Sequence, residues 1–183
     1  MTDLDVSPIE VLDFWWKAGP EKWFARNDAF DAEIGKLFLP AIEAAQAGKL
    51  RSWAQTPHGA LALILLLDQF TRNVFRDDPR AFEADGQALG LAELALEHGF
   101  DRAFPTQVRV FFYLPFEHSE DMAHQEKAVD LCRGLGQQDF YHYALIHMDV
   151  IRRFGRFPHR NKVLGRETTP EEQSFLDNGG FSA

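Results

Sequence analysis

The 183-residue sequence is long enough for one domain with a hydrophobic core, and its length makes two ordinary domains unexpected. Its composition, 45% hydrophobic with 17 Phe and 4 Trp, excludes a largely disordered chain. The formal net charge of -9 argues against nucleic acid as a general partner, because phosphate backbones attract an excess of Lys and Arg. We therefore expect a single domain over residues 1–183 that has no nucleic-acid partner.

The first residues and the apolar runs predict a cytoplasmic protein that does not enter membranes. The segment MTDLDVSPIE is acidic and lacks the basic and apolar regions of a secretory signal. The longest apolar run, residues 60–67, is far shorter than the roughly 18 residues of a membrane span. The single cysteine, Cys132, has no partner for an internal disulfide, which fits a reducing compartment.

Capping signals in chain order mark the starts of four helices. Each start has a Ser, Thr or Asp followed by Pro, at Ser7-Pro8, Thr56-Pro57, Asp78-Pro79 and Thr169-Pro170. A Glu three residues after Ser7 and after Thr169 completes a capping box at both ends of the chain. The first three helices are expected to end at Gly19, near Phe75 and at His98.

Apolar residues at helical spacing predict further helices at 28–47, 105–113, 119–133 and 138–154. We expect Pro115 to break the second of these and Ser119 to cap the third. No segment alternates like a half-buried strand. The prediction is an all-α domain of about eight helices, whose consecutive pairs stack into a solenoid or an irregular bundle. The residues expected in the core are Phe14, Trp15, Leu63, Leu66, Phe70, Phe112, Leu145 and Ile146.

The first candidate site lies where the helix from Pro57 changes from apolar residues to polar ones. Asp68 and Arg72 are four residues apart, as are Gln69 and Asn73, so each pair shares a helical face. These four side chains either line a polar pocket or form an internal salt bridge with amides that satisfy nearby backbone.

The second candidate site is the segment around His118, Ser119 and Glu120. His118 could act as a proton donor or ligand contact, but a histidine in such a turn more often serves only at the surface or in capping. The pairs Asp121/His124 and Asp139/His142 have a spacing that suits metal ligands on one helical face. Because both acids also stand where first-turn acids are expected, we predict no metal site.

The third candidate site is the basic segment RRFGRFPHRNKVLGR at residues 152–166. Arg152 and Arg153 fall in the last turn of a helix, where cations complement the helix dipole without needing a ligand. The loop after them carries the better candidates for anion binding, which are Arg156, His159, Arg160 and Asn161. The alternative is that these residues pair with acids of the protein, such as Asp68 or Glu120.

The positions of the third and first candidate sites suggest a contact between them. The basic loop carries a surplus of donors, and the helix from Pro57 ends in polar groups that burial would leave unsatisfied. We therefore expect the loop to fold over that helix end and to leave a locally positive anion site.

The motifs LDQFTRNVFR, FFYLPFEHSEDMAHQ and GRFPHRNKVLGRETTPEEQSFL together resemble a mainly bacterial family of unknown function. The resemblance extends from about Val11 to Leu176 and covers the three candidate sites. It implies an α-α superhelix of tetratricopeptide-like helical repeats. It implies no particular reaction.

These observations favour a binding module whose polar, partly basic pocket accepts a small anion or a peptide carboxylate. One alternative is an enzyme that uses His118 or His159 as general acid or base. Another is a structural interaction protein with an aromatic patch around Trp23 and Phe24. No phosphate-binding glycine loop, dinucleotide fingerprint or zinc-protease motif is found, and we expect no cofactor.

Overall fold

A computed structural model describes residues 6–182, and within that range it contains helices and no strand. The predicted all-α fold is confirmed. Two compact units divide the chain, an N-terminal unit of Met1–Pro105 and a C-terminal unit of Thr106–Ala183. The expectation of a single domain stays a prediction. Within residues 6–182, no helix has the length and apolar character needed to cross a membrane.

Residues 6–105 of the N-terminal unit contain six helices, namely α1 (Pro8–Ala18), α2 (Pro20–Trp23), α3 (Asp28–Gln46), α4 (Pro57–Ile64), α5 (Thr71–Val74) and α6 (Asp85–Glu97). A π-helical segment, Leu65–Phe70, joins α4 to α5 without a break. Short 3₁₀ turns occupy Arg51–Gln55, Pro79–Ala81 and Phe100–Ala103. The predicted capping box at Ser7 and the cap at Thr56 are both confirmed.

An aromatic cluster forms much of the core of the N-terminal unit. The ring of Phe70 lies 5.4 Å from Trp15 and 5.2 Å from Phe38, measured between centroids. Phe14 stacks on Phe30 at 5.5 Å, but it is only half-buried. Phe14 belongs to the edge of this core, because its position on α1 lies beside the fully buried face that carries Trp15.

The helix predicted to start at Pro79 starts instead at Asp85. The carboxylate of Asp78 accepts a hydrogen bond from the amide of Arg80 and also binds its guanidinium. This arrangement closes a 3₁₀ turn directly after the cap, and the turn ends before an α-helix can continue from it.

The C-terminal unit contains α7 (Thr106–Glu117), α8 (Met122–Gly134), α9 (Gln138–Phe154) and α10 (Pro170–Asp177), with a 3₁₀ turn at Pro158–Arg160. The bounds predicted for α9 and the capping box at Thr169 are confirmed. If the single-turn α2 is set aside and α4 to α5 is counted as one helix, the described residues contain eight helices, as predicted.

Two predictions about the entry to α8 were wrong. Pro115 lies inside α7 and does not break it, because Pro removes only its own amide donor and the amide of His118 still donates to Leu114 O at 2.8 Å. The N-cap of α8 is Asp121 and not Ser119. The Asp121 carboxylate accepts from the amides of Ala123 and His124, while Ser119 Oγ accepts from the amide of Asp121.

The core prediction holds for five residues and fails for three. Trp15, Leu63, Leu66, Phe70 and Phe112 are buried. Leu145 and Ile146 are half-buried like Phe14, since both border an open groove on the surface of α9.

Close packing makes the first turn of α4 sensitive to one added methyl group. A Cβ at Gly59 would lie 2.0 Å from the backbone oxygen of Trp53, which cannot move without distorting the turn. We expect Gly59→Ala to lower the free energy of unfolding, measured by urea denaturation, by about 1–3 kcal/mol.

The control for this prediction is Gly90→Ala in the exposed middle of α6, where a Cβ meets no atom within 4 Å. Alanine there should raise stability by up to about 1 kcal/mol. Equal effects of the two substitutions would contradict the steric argument.

Candidate functional site

The π-helical segment buries the start of the first candidate site. Asp68 is 1% exposed, and its Oδ2 accepts a 2.6 Å hydrogen bond from Gln69 Nε2. Arg72 Nη1 donates to the backbone oxygen of Asp68 at 2.7 Å and to Oδ1 at 3.3 Å. Of the two alternatives for this site, the internal salt bridge between Asp68 and Arg72 is present, and Gln69 joins it.

Arg72 also binds a carboxylate that the sequence did not indicate. Its two terminal nitrogens donate to the two oxygens of Asp85 at 2.9 Å each. Burial alone would lower the pKa of Arg72, and the nearby carboxylates of Asp68 and Asp85 outweigh that effect and raise it. Arg72 therefore remains a cation and links α5 to the first residue of α6.

The fourth predicted residue, Asn73, takes part in a separate contact. Asn73 Nδ2 donates to Asp31 Oδ1 at 2.7 Å, and Arg76 binds both oxygens of the same carboxylate. Asn73 does not pair with Gln69 as the shared face suggested, because Asp31 of α3 offers a charged acceptor. Asp31, Arg76 and Asp85 are polar residues that sequence reasoning missed.

The three residues of the second candidate site contact different partners in the C-terminal unit. His118 is half-buried in the turn after α7, as predicted, and its ring centroid lies 6.1 Å from that of His147. Ser119 Oγ is 2.9 Å from His124 Nδ1. Glu120 accepts from the amide of Phe157 at 2.8 Å and binds Arg166 through both oxygens, at 2.7 and 3.0 Å.

The contacts of Glu120 keep it ionised. Partial burial raises its pKa, and the hydrogen bonds from Arg166 and from the amide of Phe157 more than offset this, so the pKa lies below its usual value. Glu120 therefore connects the turn before α8 to both ends of the basic segment.

A second carboxylate, Glu172, binds the loop from the other side. Arg156 donates to its two oxygens at 2.6 and 2.8 Å, and Asn161 Nδ2 donates at 3.1 Å. The amide of Thr169 donates to the same group at 2.8 Å. These contacts, Arg156 first, lower the pKa of Glu172 to about 2 although burial opposes them.

The two carboxylates are joined through Asn161 and Arg166. Asn161 is fully buried, and its Oδ1 accepts a 2.9 Å bond from Arg166 Nε. Arg166 also donates to the backbone oxygen of Phe157 at 2.9 Å. The turn Pro158–Arg160 is consequently held at Phe157 on one side and at Asn161 on the other.

This network shows which basic residues of the segment 152–166 pair with acids of the protein. Arg156 and Arg166 pair with acids of their own unit, Glu172 and Glu120. The guanidinium carbon of Arg160 lies 4.5 Å from the centroid of the Phe157 ring, and His159 packs 5.6 Å from the same ring. The expected contact between this loop and the end of the helix from Pro57 involves residues of both units and stays a prediction.

A buried histidine–glutamate pair was not indicated by the sequence. His147 Nδ1 lies 3.0 Å from Glu117 Oε1 and 2.8 Å from Tyr143 O. Both neighbours offer acceptor oxygens, so the Nδ1 of His147 is the ring nitrogen that carries the N–H in this arrangement. Glu117 is 3% exposed. No sequence signal links two residues thirty positions apart on different helices.

No group of three or more His, Cys, Asp or Glu side chains in residues 6–182 is arranged to hold a metal ion. Asp121 and His124 have the sequence spacing of metal ligands, but both make other contacts. Asp121 caps α8, and His124 contacts Ser119.

Residues 11–180 match a family described as bacterial proteins of unknown function, DUF924. The structure is similar to a solved structure of a protein of unknown function from Agrobacterium tumefaciens. The two chains share 46% sequence identity and superpose with a TM-score of 0.91, over 94% of this chain and 97% of the other. No curated protein matches the sequence.

The network around Glu172 predicts a pH-dependent loss of stability. Because the folded pKa of about 2 lies below the usual 4.5, the ionised carboxylate stabilises the fold above about pH 4.5, and this contribution disappears as the pH falls toward 2. We expect Glu172→Gln to lower the free energy of unfolding at neutral pH by on the order of 3 kcal/mol. Urea denaturation of the variant and the wild type should give converging values as the pH is lowered from 4.5 to 2.

The matched control is Glu171→Gln, which removes the same charge from an exposed neighbour in the first turn of α10. Its effect should stay within about 0.5 kcal/mol. A difference between Glu172→Gln and the wild type that is constant across this pH range would refute the assignment.

Proposed function

Since this chain belongs to the DUF924 family of bacterial proteins, for which no function is known, we propose from its own residues that it is a binding module for a small anion or a peptide carboxylate. The supporting observation is the anchored turn Pro158–Arg160, which carries His159 and Arg160. Glu120 and Arg166 hold the turn at Phe157, and Glu172 holds it at Asn161. A binding group that is fixed in advance loses less conformational entropy when its ligand arrives.

The contacts of the loop suggest different roles for its residues. Arg166 and Arg156 bind Glu120 and Glu172, each with two hydrogen bonds, and the charge of Arg160 also contributes to the lowered pKa of Glu120. Arg156, Asn161 and Glu120 then act by positioning the turn. His159 and Arg160 contact the anion, and His118 and Ser119 are proposed to lie near it.

The polar end of the π-helical segment is proposed as a ligand-binding surface of the N-terminal unit. Asp68, Gln69, Arg72 and Asn73 are held by internal hydrogen bonds, and Arg72 supplies a fixed positive charge.

The finer description of the fold and location is also a proposal. Consecutive helices α8 and α9 pack against each other, as the two helices of a tetratricopeptide-like repeat do, and we propose that the chain is built from such pairs. We propose the cytoplasm as its location, because the lone Cys132 is a buried, reduced thiol whose pKa is raised by that burial.

A second candidate function, an enzyme using general acid or base catalysis, is favoured by the Glu117–His147 pair. A buried carboxylate that fixes the proton on Nδ1 orients the imidazole as in catalytic triads. His118 lies beside this pair, and His159 packs 5.5 Å from Phe181, which also covers His147 at 4.3 Å. His118 and His159 therefore remain the proposed proton carriers.

A third candidate function, an interaction scaffold, depends on the aromatic residues after α1. Phe24 is 58% exposed and suits such a role. Trp23 suits it less, because it is half-buried, stacks on Trp15 at 6.1 Å and donates its indole N–H to Trp15 O.

Thermal melting with phosphate, sulfate, acetate and citrate tests the proposal. An anion at a hundred times its dissociation constant should raise the melting temperature by roughly 5–10 °C, since such saturation stabilises the fold by about 2.7 kcal/mol. Arg160→Gln and His159→Ala should abolish the shift. Arg152→Gln, which removes the same charge at an exposed position, should retain it.

The three functions give different results in this experiment. Equal shifts in Arg160→Gln and Arg152→Gln would reject the anion site. Turnover of a bound ester or phosphoester, lost in His118→Ala or His159→Ala, would support the enzyme. Partner capture that disappears in Phe24→Ser while anion shifts are absent would support the scaffold.

A further inference from the structure

Arg153, at the C-terminal end of α9, is held on the surface by two aromatic rings. Its guanidinium carbon lies 4.9 Å from the ring centroid of Phe154 and 4.8 Å from that of Phe175. The side chain remains 48% exposed. Stacking on aromatic faces restricts a guanidinium without using its N–H donors, which lie in the plane of the group.

The hydrogen-bond donors of Arg153 have no acceptor among residues 6–182. Arg153 Nη1 forms an ion pair with Asp149 Oδ2 at 3.6 Å, which is longer than a good hydrogen bond, while Asp149 Oδ1 accepts a 2.7 Å bond from Arg152. By contrast, Arg156 and Arg166 in the same unit each hold a carboxylate with two short bonds. Arg153 therefore presents to the solvent an oriented guanidinium whose one ion pair is long.

An apolar groove begins beside this guanidinium. It has a volume of about 230 Å³, and its lining consists of Leu145, Ile146, Val150, Phe175 and Phe181 together with the polar residues His142 and Asp149. Phe175 is both a wall of the groove and a stacking partner of Arg153, so the guanidinium stands at one end of the groove. This volume is sufficient for one large apolar side chain to enter the groove.

A polar depression adjoins the other side of Arg153. Its lining includes Thr169, Glu171 and Glu172 together with Phe154 and Arg156. The two glutamates place negative charge near the guanidinium, which disfavours a dianion such as phosphate more than a single carboxylate. The surface thus combines a site for one negative charge with a neighbouring site for one apolar side chain.

We propose that this surface binds the C-terminus of a partner polypeptide whose last residue is apolar. The C-terminal residue carries a carboxylate and a side chain on the same Cα, and these match the guanidinium of Arg153 and the groove beside it. The carboxylate accepts two hydrogen bonds from Arg153, the last side chain enters the groove, and the preceding main chain lies over the polar depression.

This site is distinct from the proposed anion site, because it uses Arg153 and not Arg160. The two proposals can therefore fail separately. Variants of Arg160 should leave C-terminal peptide binding unchanged, and variants of Arg153 should leave the anion-dependent melting shifts unchanged.

Fluorescence anisotropy with N-terminally labelled pentapeptides Gly-Ser-Gly-Ser-X tests the proposal. Peptides in which X is Phe or Leu and the carboxylate is free should bind. Amidation of the C-terminus, or X as Ser or Asp, should weaken binding about tenfold or more, as expected for the loss of a charge-assisted hydrogen-bond pair or an apolar anchor.

Two arginines of the C-terminal unit provide the matched variants. Arg153→Gln should weaken binding of the free-carboxylate peptides about tenfold and leave the weak binding of the amides unchanged. Arg133→Gln removes the same charge from an exposed position on α8 and should change binding less than twofold. Ile146→Ser should weaken binding of the Phe and Leu peptides through the groove alone, because it removes apolar surface without adding a charge.

Several results would overturn the proposal. They are equal binding of amidated and free peptides, equal effects of the two arginine variants, and no binding of any pentapeptide at millimolar concentration. Octanoate that competes as strongly as the best peptide would show instead that the surface binds free carboxylic acids.

Discussion

The carboxylate of Glu172 determines how the last third of the chain is arranged. A buried carboxylate is costly unless donors surround it, and Glu172 receives them from Arg156, from Asn161 and from the amide of Thr169. The loop between α9 and α10 must therefore close around one point. Because the same carboxylate completes the capping box of α10, the start of that helix and the path of the basic loop are parts of one structure.

The N-terminal unit satisfies its buried acids by the same means. Around α5, Arg72 binds Asp68 and Asp85, while Asn73 and Arg76 bind Asp31. These contacts tie α5 to α3 and α6 and surround the π-helical segment. An acidic chain thus places several of its cations inside, as partners of buried carboxylates. A cation that serves in this way is less available to an external anion, so the count of basic residues in a motif overstates its binding capacity.

The sequence predicted the features that are decided locally and missed those decided by packing. The capping boxes at Ser7 and Thr169 and the bounds of α9 depend on neighbouring residues, and all three were correct. Pro115 failed as a breaker because a buried helix tolerates the loss of one amide donor. Ser119 failed as a cap because the helix starts later, at Met122, where the Asp121 carboxylate accepts from the amides of Ala123 and His124.

The contacts of the candidate site can also be separated into local ones, which the sequence indicates, and long-range ones, which it does not. Helical spacing places Asp68 and Arg72 on one face, and an internal salt bridge between them was one of the two alternatives left open by the sequence. Glu120 with Arg166 and Glu117 with His147 are separated by long stretches of chain, so only the tertiary structure could reveal them.

Arg152 and Arg153 show why neighbouring residues of one type cannot be given one role from the sequence. Both lie within a helical turn of Asp149, so spacing alone predicts a salt bridge for each. One carboxylate oxygen accepts a short bond from Arg152, and the other is 3.6 Å from Arg153, which rests on Phe154 and Phe175. Since Phe175 comes from α10, the position of Arg153 depends on the closure of the loop around Glu172. The internal charge network thus also sets the geometry of the surface that we assign to an external carboxylate.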